Sequence, residues 1–593
     1  MPALLLHMHQ PDYRHPATGV PIMPWVRLHA TRGYRDVPRI LAETGAAATV
    51  NLVPTLVEQL DRYAAGGSDV HLDLCRRPAE TLSPAEAAWV VEHGLHGSPR
   101  AFGWFPGWGA LRRRRERGDA FDVRALRDLQ VWCNLAWFGA TALEDFPELG
   151  ELRRRGQGFS EQDKALVLDR QLACVRSLPA LYAALPDVSA SAYAHPILPL
   201  LIDSGHAARN LGPFDDPGFR RPEDAADQLR EGRRIIEAWV GHEVRGLWPS
   251  EGSVSPEAVE AFAAAGFRWF ATDSGVLERS TRTGRGPVWR VGPMVGLFRD
   301  HGLSDRIGFV YADWDAAAAV DDLERRLDGK RVVLALDGEN PWESYADAGA
   351  AFLRQLCSKV HLQTCSALAA QRPTGTVTTL HTGSWIHADF RIWIGSEADR
   401  VAWRLLRRTR DEVEAAGPLP EAARRALWRA EASDWFWWYG PEFQTPFAAE
   451  FDVLFRAHLA AARAAAGLAP DPTLELPLLA RDEAVTPPVG PVDPARADVF
   501  AWNAAGTIRV INGSMAPGPG WPAEVRYGWG PDGLALRVLG ADGAAVVGWG
   551  AEVAGPPWVL RLRATDGTVL PDAGGWPLLP PVSRPELGSA PAR

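Results

Sequence analysis

The chain has 593 residues, 46% of them hydrophobic and 23% charged, a composition that builds packed cores and excludes a largely disordered protein; the length requires more than one domain. Lys and Arg number 63 against 73 Asp and Glu, a net charge of −10 with the signs interspersed, so there is no basic footprint for nucleic acid. Five cysteines with no CxxC pair (Cys75, Cys133, Cys174, Cys357, Cys365) read as buried, reduced thiols. The N-terminus MPALLLHMHQPDY lacks a signal h-region, and no run of about 18 apolar residues occurs, so a cytoplasmic protein without membrane contact is expected.

In chain order, short β-type runs fall at Ala3–His9, Ala48–Val53, Ser189–Ala194, Val244–Trp248, Arg268–Thr272, Ile307–Tyr311 and Arg331–Leu336. Helix signals lie between several of them. Ser83-Pro84-Ala85-Glu86 is a capping box with proline at the first helical position, and Ser255-Pro256 opens a helix that Gly266 closes. Strand and helix alternate, which predicts a parallel α/β sheet or barrel. At or just past the strand ends stand His7 and His9, Asn51, His195, Glu251, Asp273, and Asp337 with Glu339. In a parallel barrel those ends converge on one mouth, where barrel enzymes keep their chemistry.

The barrel is assigned to residues 1–346. A helical insertion occupies about 54–186, with the arginine runs Arg112–Arg117 and Arg153–Arg155 read as solvated faces. Residues 347–468 read as a helical region closing the site, for example Glu397–Ala415 and Glu421–Trp428. The proline-rich stretch 469–494 reads as a linker, and 495–593 as a small β-sandwich-like domain with strands at Ala523–Tyr527, Leu534–Leu539, Ala545–Trp549 and Trp558–Arg563.

Two carboxylates are the catalytic candidates, Glu251 in Trp248-Pro249-Ser250-Glu251-Gly252 and Asp337 in Leu336-Asp337-Gly338-Glu339-Asn340. Facing one pocket, such a pair suits glycosidic bond cleavage: one protonates the leaving oxygen and the other meets the developing oxocarbenium ion. His7 and His9 alternate on one strand and could share a metal with His195 or Asp273; the competing reading has His9 and His195 bonding sugar hydroxyls. The 25 tryptophans, many beside Gly, Asp, Asn and Pro, supply flat faces that suit sugars or plain core packing. Five consecutive rings, Trp435 to Tyr439, cannot all face one side, so no more than two are expected to reach substrate.

These segments, with Pro24–Thr31, Asp128–Trp137, His195–Leu201, Phe298–Asp305, Gly383–Ile386 and Phe390–Gly395, make residues 3–480 resemble glycoside hydrolase family 57, in particular its amylopullulanase-like and α-amylase-like members. The resemblance implies a (β/α)7 barrel and a retaining mechanism on α-glucans without a metal or other cofactor. It puts Glu251 at the nucleophile and Asp337 at the general acid/base. The substrate-contacting set drawn from the matching segments is His7, His9, Gln10, His195, Trp248, Asp273, Glu339, Trp385, Asp434 and Trp435. Pro249-Ser250-Glu251-Gly252-Ser253 departs from members with a cysteine or second acid nearby, which leaves specificity open. The expected activity is hydrolysis of α-1,4 and possible α-1,6 bonds of glycogen, starch or maltodextrins. The alternatives are 4-α-glucanotransferase or branching activity and a non-catalytic glucan-binding protein.

Overall fold

The computed structural model describes residues 1–281, 285–443, 445–475 and 477–478 and, beyond these, strand segments between 485 and 577. Its central sheet contains β1 (Ala3–Met8), β2 (Thr49–Leu52), β3 (Val188–Ala190), β4 (Gly246–Leu247), β5 (Trp269–Asp273), β6 (Val288–Val291), β7 (Met294–Arg299), β8 (Val333–Asp337) and β9 (Gly375–Val377), in the order β8-β1-β2-β3-β4-β5-β7-β6-β9. The seven strands from β8 to β7 pair in parallel. The sheet curls until its ends meet: Asp300 N–H, just past β7, donates to the Val333 carbonyl of β8 at 2.7 Å. This is the (β/α)7 barrel that the family resemblance implies, and one of the two architectures, parallel sheet or barrel, that the alternating pattern allows.

One predicted strand is wrong, and three strands of the sheet, β6, β7 and β9, are not among the predicted runs. Ile307–Tyr311 is helical, lying in the turns Arg306–Val310 and Tyr311–Asp313. Ile307 and Tyr311 are buried while Phe309 is exposed, and two apolar residues four apart mark one face of a helix as readily as the ends of a strand. The seventh barrel strand is β7, which forms an antiparallel hairpin with β6 across a turn at Gly292. The predicted strands Ser189–Ala194 and Val244–Trp248 are real but shorter.

The barrel strands alternate strictly, and that alternation places the site. Ala3, Leu5, Trp248, Trp269, Ala271, Leu297, Val333 and Ala335 form a core cluster inside the barrel, whereas Leu4, Leu6, Met8, Leu334 and Leu336 pack outward in the larger core. Continued by a period of two, the inward files reach His7 on β1, Asp273 on β5, Arg299 on β7 and Asp337 on β8 at the C-terminal edge. The β1–β2 and β1–β8 registers set His7 beside both Asn51 and Asp337.

Helices fill 54–183 around a core of their own that includes Leu74, Trp108, Leu129 and Trp132. Arg27, buried below the barrel mouth, ties this region together: it donates to Asp69 at 2.8 Å, Asn134 at 2.8 Å and Gln171 at 2.6 Å. Arg153 is not a solvated residue; its guanidinium donates to the Leu135 carbonyl at 2.9 Å and to that of Phe138. Helices Glu397–Ala415, Glu421–Ala430, Ser433–Tyr439 and Ala448–Ala465 share the large core with the outer faces of the barrel strands. All five cysteines are free and buried.

Most of the expected linker, and most of Ala545–Trp549, lie outside the described residues. Beyond residue 478, Val485–Thr486, Gly506–Arg509, Pro522–Gly530 and Gly533–Gly540 form one antiparallel sheet; Trp549–Ala554, Val559–Ala564 and Trp576–Pro577 form another. Among the described residues no helix is long and apolar enough to cross a membrane.

Candidate active site

Glu251 sits in the tight turn Ser250–Gly252 that follows β4. Its backbone is left-handed, with φ of 56°, a conformation that costs a non-glycine residue of order 1 kcal/mol or more and persists only where surroundings impose it. The imposing contacts come from far along the chain. Val254 and Gly383 exchange backbone hydrogen bonds at 2.8 and 3.0 Å, Trp385 N–H donates to the Glu251 carbonyl at 3.0 Å, and the Trp385 indole N–H donates to Glu251 Oε2 at 2.9 Å. Trp385 is itself fixed, edge-on to Trp248 at 5.3 Å and under the Arg299 guanidinium at 4.9 Å.

Asp337 is placed more simply, as the last residue of β8. Asn340 Nδ2 donates to its Oδ2 at 3.1 Å. The residue after it is packed closely: a Cβ at Gly338 would lie 2.2 Å from Met8 Sδ, so a larger residue would displace that side chain, and the Gly338 N–H donates to the His7 carbonyl at 2.6 Å.

Three imidazoles stack in the same mouth, His9 on His195 at 3.9 Å and His7 on His195 at 5.0 Å between ring centres. His7 Nδ1 lies 2.6 Å from Asn51 Oδ1, His9 Nε2 lies 2.8 Å from Asp434 Oδ1, and His195 Nδ1 lies 3.0 Å from Ser433 Oγ and 3.8 Å from Glu251 Oε1. His195 also has a left-handed backbone, φ 60°, pinned by Ser433 N–H donating to its carbonyl at 3.0 Å. Burial holds His7 down at about 3, helped by the neighbouring His9, and burial likewise holds His195 well below its ordinary value. Both are neutral, able to donate from one ring nitrogen and accept at the other.

The carboxyls shift the other way. Burial, and next the charge of Asp337, push Glu251 up to about 8, with the Trp385 hydrogen bond pulling against them. Burial raises Asp337 too, opposed by Asn340, His9 and Arg299. Glu339, buried beside Asp337, is raised well above the carboxylate range by burial first and that neighbour second. Two interacting carboxyls that both resist ionisation retain a proton between them near neutral pH, the state that one acid and one nucleophile need.

The rest of the expected set divides. Asp273 lies in the mouth but is engaged, accepting from Arg299 Nε at 2.6 Å and from Gly275 N–H at 2.7 Å, with His301 Nδ1 at 3.1 Å. Trp248 is fully buried, lying against Trp385 and 5.9 Å from His7. Gln10 is buried and accepts from the Tyr13 hydroxyl at 2.6 Å. Trp435 is corrected: it is 1% exposed, its indole N–H donates to the Arg429 carbonyl at 2.7 Å, and it packs near Phe451 and His458, so it belongs to the core of the helical region. Of the five consecutive rings only Trp437 and Trp438 are partly exposed.

Ser433, Asn340 and Arg299 were not anticipated as site residues, and Asn51 was expected only as a polar strand end; all four hold the expected ones. Each is a sequence neighbour or strand-end partner of a predicted site residue, but nothing local in the sequence tells which side chain it meets. His9 Nδ1, His195 Nε2, Trp248 Nε1, Asp434 Oδ2 and Glu339 Oε2 are buried polar atoms without a protein partner. Such atoms, converging on one mouth, are what hydroxyl groups of a ligand satisfy. Nitrogens of His7, His9 and His195 also lie within 4.8 Å of one another, spacing that could hold a metal ion; the same holds for His71, Cys75 and Cys133 in the helical insertion.

Residues 3–370 match Glycosyl hydrolase family 57, well over half of the chain, and the protein belongs to that family. No curated protein matches it. Among solved structures it is similar to a family 57 branching enzyme from Thermococcus kodakaraensis in complex with glucose, at 15% identity and a TM-score of 0.51 over 78% of this chain and 89% of that one. A family 57-type branching enzyme from Pyrococcus horikoshii matches at 14% identity and a TM-score of 0.48, covering 80% and 90%. The α-amylase AmyC from Thermotoga maritima matches at 14% identity and a TM-score of 0.45, covering 80% and 95%.

Proposed function

We propose that the protein is a retaining α-glucan-active enzyme in which Glu251 is the nucleophile and Asp337 the general acid/base. The observation that supports this most is the interacting carboxyl pair in the barrel mouth, ringed by unpartnered buried donors and acceptors. In the first step Asp337 gives its proton to the glycosidic oxygen, the bond from that oxygen to the anomeric carbon breaks, and Glu251 Oε1 or Oε2 bonds that carbon from the opposite face. The Trp385 indole N–H stabilises the charged form of Glu251 and fixes its orientation. In the second step Asp337, now a carboxylate, takes a proton from the acceptor, whose oxygen displaces Glu251 and restores the α configuration. His9 and the neutral His195 bond hydroxyls of the sugar being transferred, with Asp434 and Ser433 holding the two rings in place.

Water as acceptor makes the enzyme a hydrolase of α-1,4 or α-1,6 bonds; a sugar hydroxyl makes it a glucanotransferase or branching enzyme. Incubation with maltoheptaose and with pullulan separates these outcomes. Shorter maltodextrins only mean hydrolysis, products longer than the substrate mean transfer, and maltotriose from pullulan means α-1,6 cleavage. No product from either, or from glycogen, would overturn the proposal. Activity is also expected to survive a strong chelator; a stoichiometric metal whose removal abolishes turnover would reassign the three histidines as ligands.

A further inference from the structure

The family site leaves one surface feature unexplained. Phe309 is 82% exposed, with Val310 at 38% and Trp314 at 44%, in a protein that otherwise buries most of its large apolar side chains. Exposed large apolar side chains gathered on one short segment, here Phe309, Val310 and Trp314, point to an interaction surface.

The segment carrying them is firmly anchored. Tyr311 is buried beneath it and its hydroxyl donates to Asp322 at 2.8 Å. Arg100, from the helical insertion, grips both Asp313 oxygens at 2.6 and 3.0 Å and donates to the Ser344 carbonyl at 3.3 Å. The Tyr345 hydroxyl donates to the Ile307 carbonyl at 2.8 Å, and the Trp342 indole N–H donates to the carbonyl of Gly338, the residue after Asp337, at 3.0 Å. The segment follows β7 and precedes β8, so it stands at the same end of the barrel as Asp337, braced on the very loop that Asp337 begins. At its start, Asp305 and His301 join Arg299 and Asp273 in the mouth.

The geometry points to Phe309 and Trp314 as an aromatic platform on the rim of the active site that receives glucose units of an α-glucan chain remote from the bond being cleaved. The inference rests on the proposed α-glucan activity and adds a chain-length determinant to it. A pyranose ring presents a flat C–H face that packs on an exposed aromatic ring, while its equatorial hydroxyls stay in water or reach a polar edge. Arg100 and Asp313 supply that edge. Because the supporting turn is held by hydrogen bonds on three sides, little ordering is required on binding, which favours a surface already built for its ligand.

The test measures kcat/KM on long amylose and on maltotetraose for wild type, Phe309→Ala, Trp314→Ala, the double alanine variant, and a double variant carrying Phe309→Tyr and Trp314→Phe. The long-to-short ratio should fall about tenfold in the double alanine protein and stay near wild type in the aromatic replacements. An unchanged ratio in an enzyme active on both glucans overturns the platform alone. Aromatic replacements as poor as alanine also overturn it, since stacking would not be the cause. An unchanged ratio joined to loss of self-association by light scattering assigns the rings to a second copy instead. A wild type that acts on no α-glucan overturns the functional reading, and the platform with it.

Discussion

Glu251 and Asp337 meet in one mouth but are held there by opposite means. Asp337 continues the inward file of a barrel strand, so the parallel ladder with β1 fixes it. Glu251 follows a two-residue strand, on a left-handed turn that depends on Gly383 and Trp385, more than a hundred residues downstream. Asp337 belongs to the barrel, and Glu251 belongs to the contact between the barrel and the segment that covers it. Disturbing the covering segment should therefore disable attack and spare protonation.

The largest expected effect tests the nucleophile directly. Glu251→Gln should lower turnover about a thousandfold or more while leaving the fold intact, as measured by steady-state kinetics and circular dichroism. A tenth of wild-type activity in that variant would remove Glu251 from the mechanism. Asp337→Asn should cost roughly a hundredfold or more on maltodextrins but far less on aryl α-glucosides whose acidic leaving groups depart without a proton. Equal losses on both substrates would show that Asp337 is not the acid. Proton NMR of wild-type products should show the α-anomer first.

Weaker variants sharpen the contrast through pH. Trp385→Phe keeps the ring and deletes the donor to Glu251, so Glu251 ionises at higher pH; the acidic limb of the profile should move up with a loss of roughly ten- to a hundredfold. Asn340→Ala deletes the donor to Asp337, which then keeps its proton longer, so the alkaline limb should move up with a loss of only about fivefold. The two variants moving the same limb would contradict the assigned roles.

The smallest effect concerns stability. The folded Glu251–Asp337 pair retains a proton up to about pH 8, the value to which burial and Asp337 push Glu251, whereas an unfolded glutamate releases it near 4.5; that contribution to stability is full below 4.5 and is lost as pH rises through 8. Glu251→Gln should thus melt a few degrees above wild type at pH 8 and at the same temperature below pH 4.5, by scanning calorimetry. His7 acts in the reverse direction, contributing fully above 6.5 and losing its contribution as pH falls toward about 3.

The same division governs what could be read from the sequence. The barrel was legible because β1, β5 and β8 are short apolar runs that meet a polar residue, His7, Asp273 or Asp337, at or near their ends, a local pattern. β7 was hidden because Gly296 interrupts its apolar run and its chain neighbour β6 pairs with it antiparallel, so no helix separates the two strands. The exposed side of Ile307–Tyr311 looks the same in one dimension as the buried side. Glu251 was identified by its motif, but the turn that aims it was not, since its partners at 383–385 are joined to it only in space. Trp435 failed for a related reason: in a run of five rings only packing decides which ones leave the core.

The strand order also has a consequence for biosynthesis. β1 sits between β2 and β8, so the chain's first strand completes its pairing only after residue 337 has been made, and the turn at Glu251 is locked only after residue 385. At about ten residues per second, roughly half a minute separates the synthesis of β1 from that of β8. For that interval β1 keeps one apolar edge unpaired, and the nascent chain carries every hazard of an open strand before it carries any catalyst.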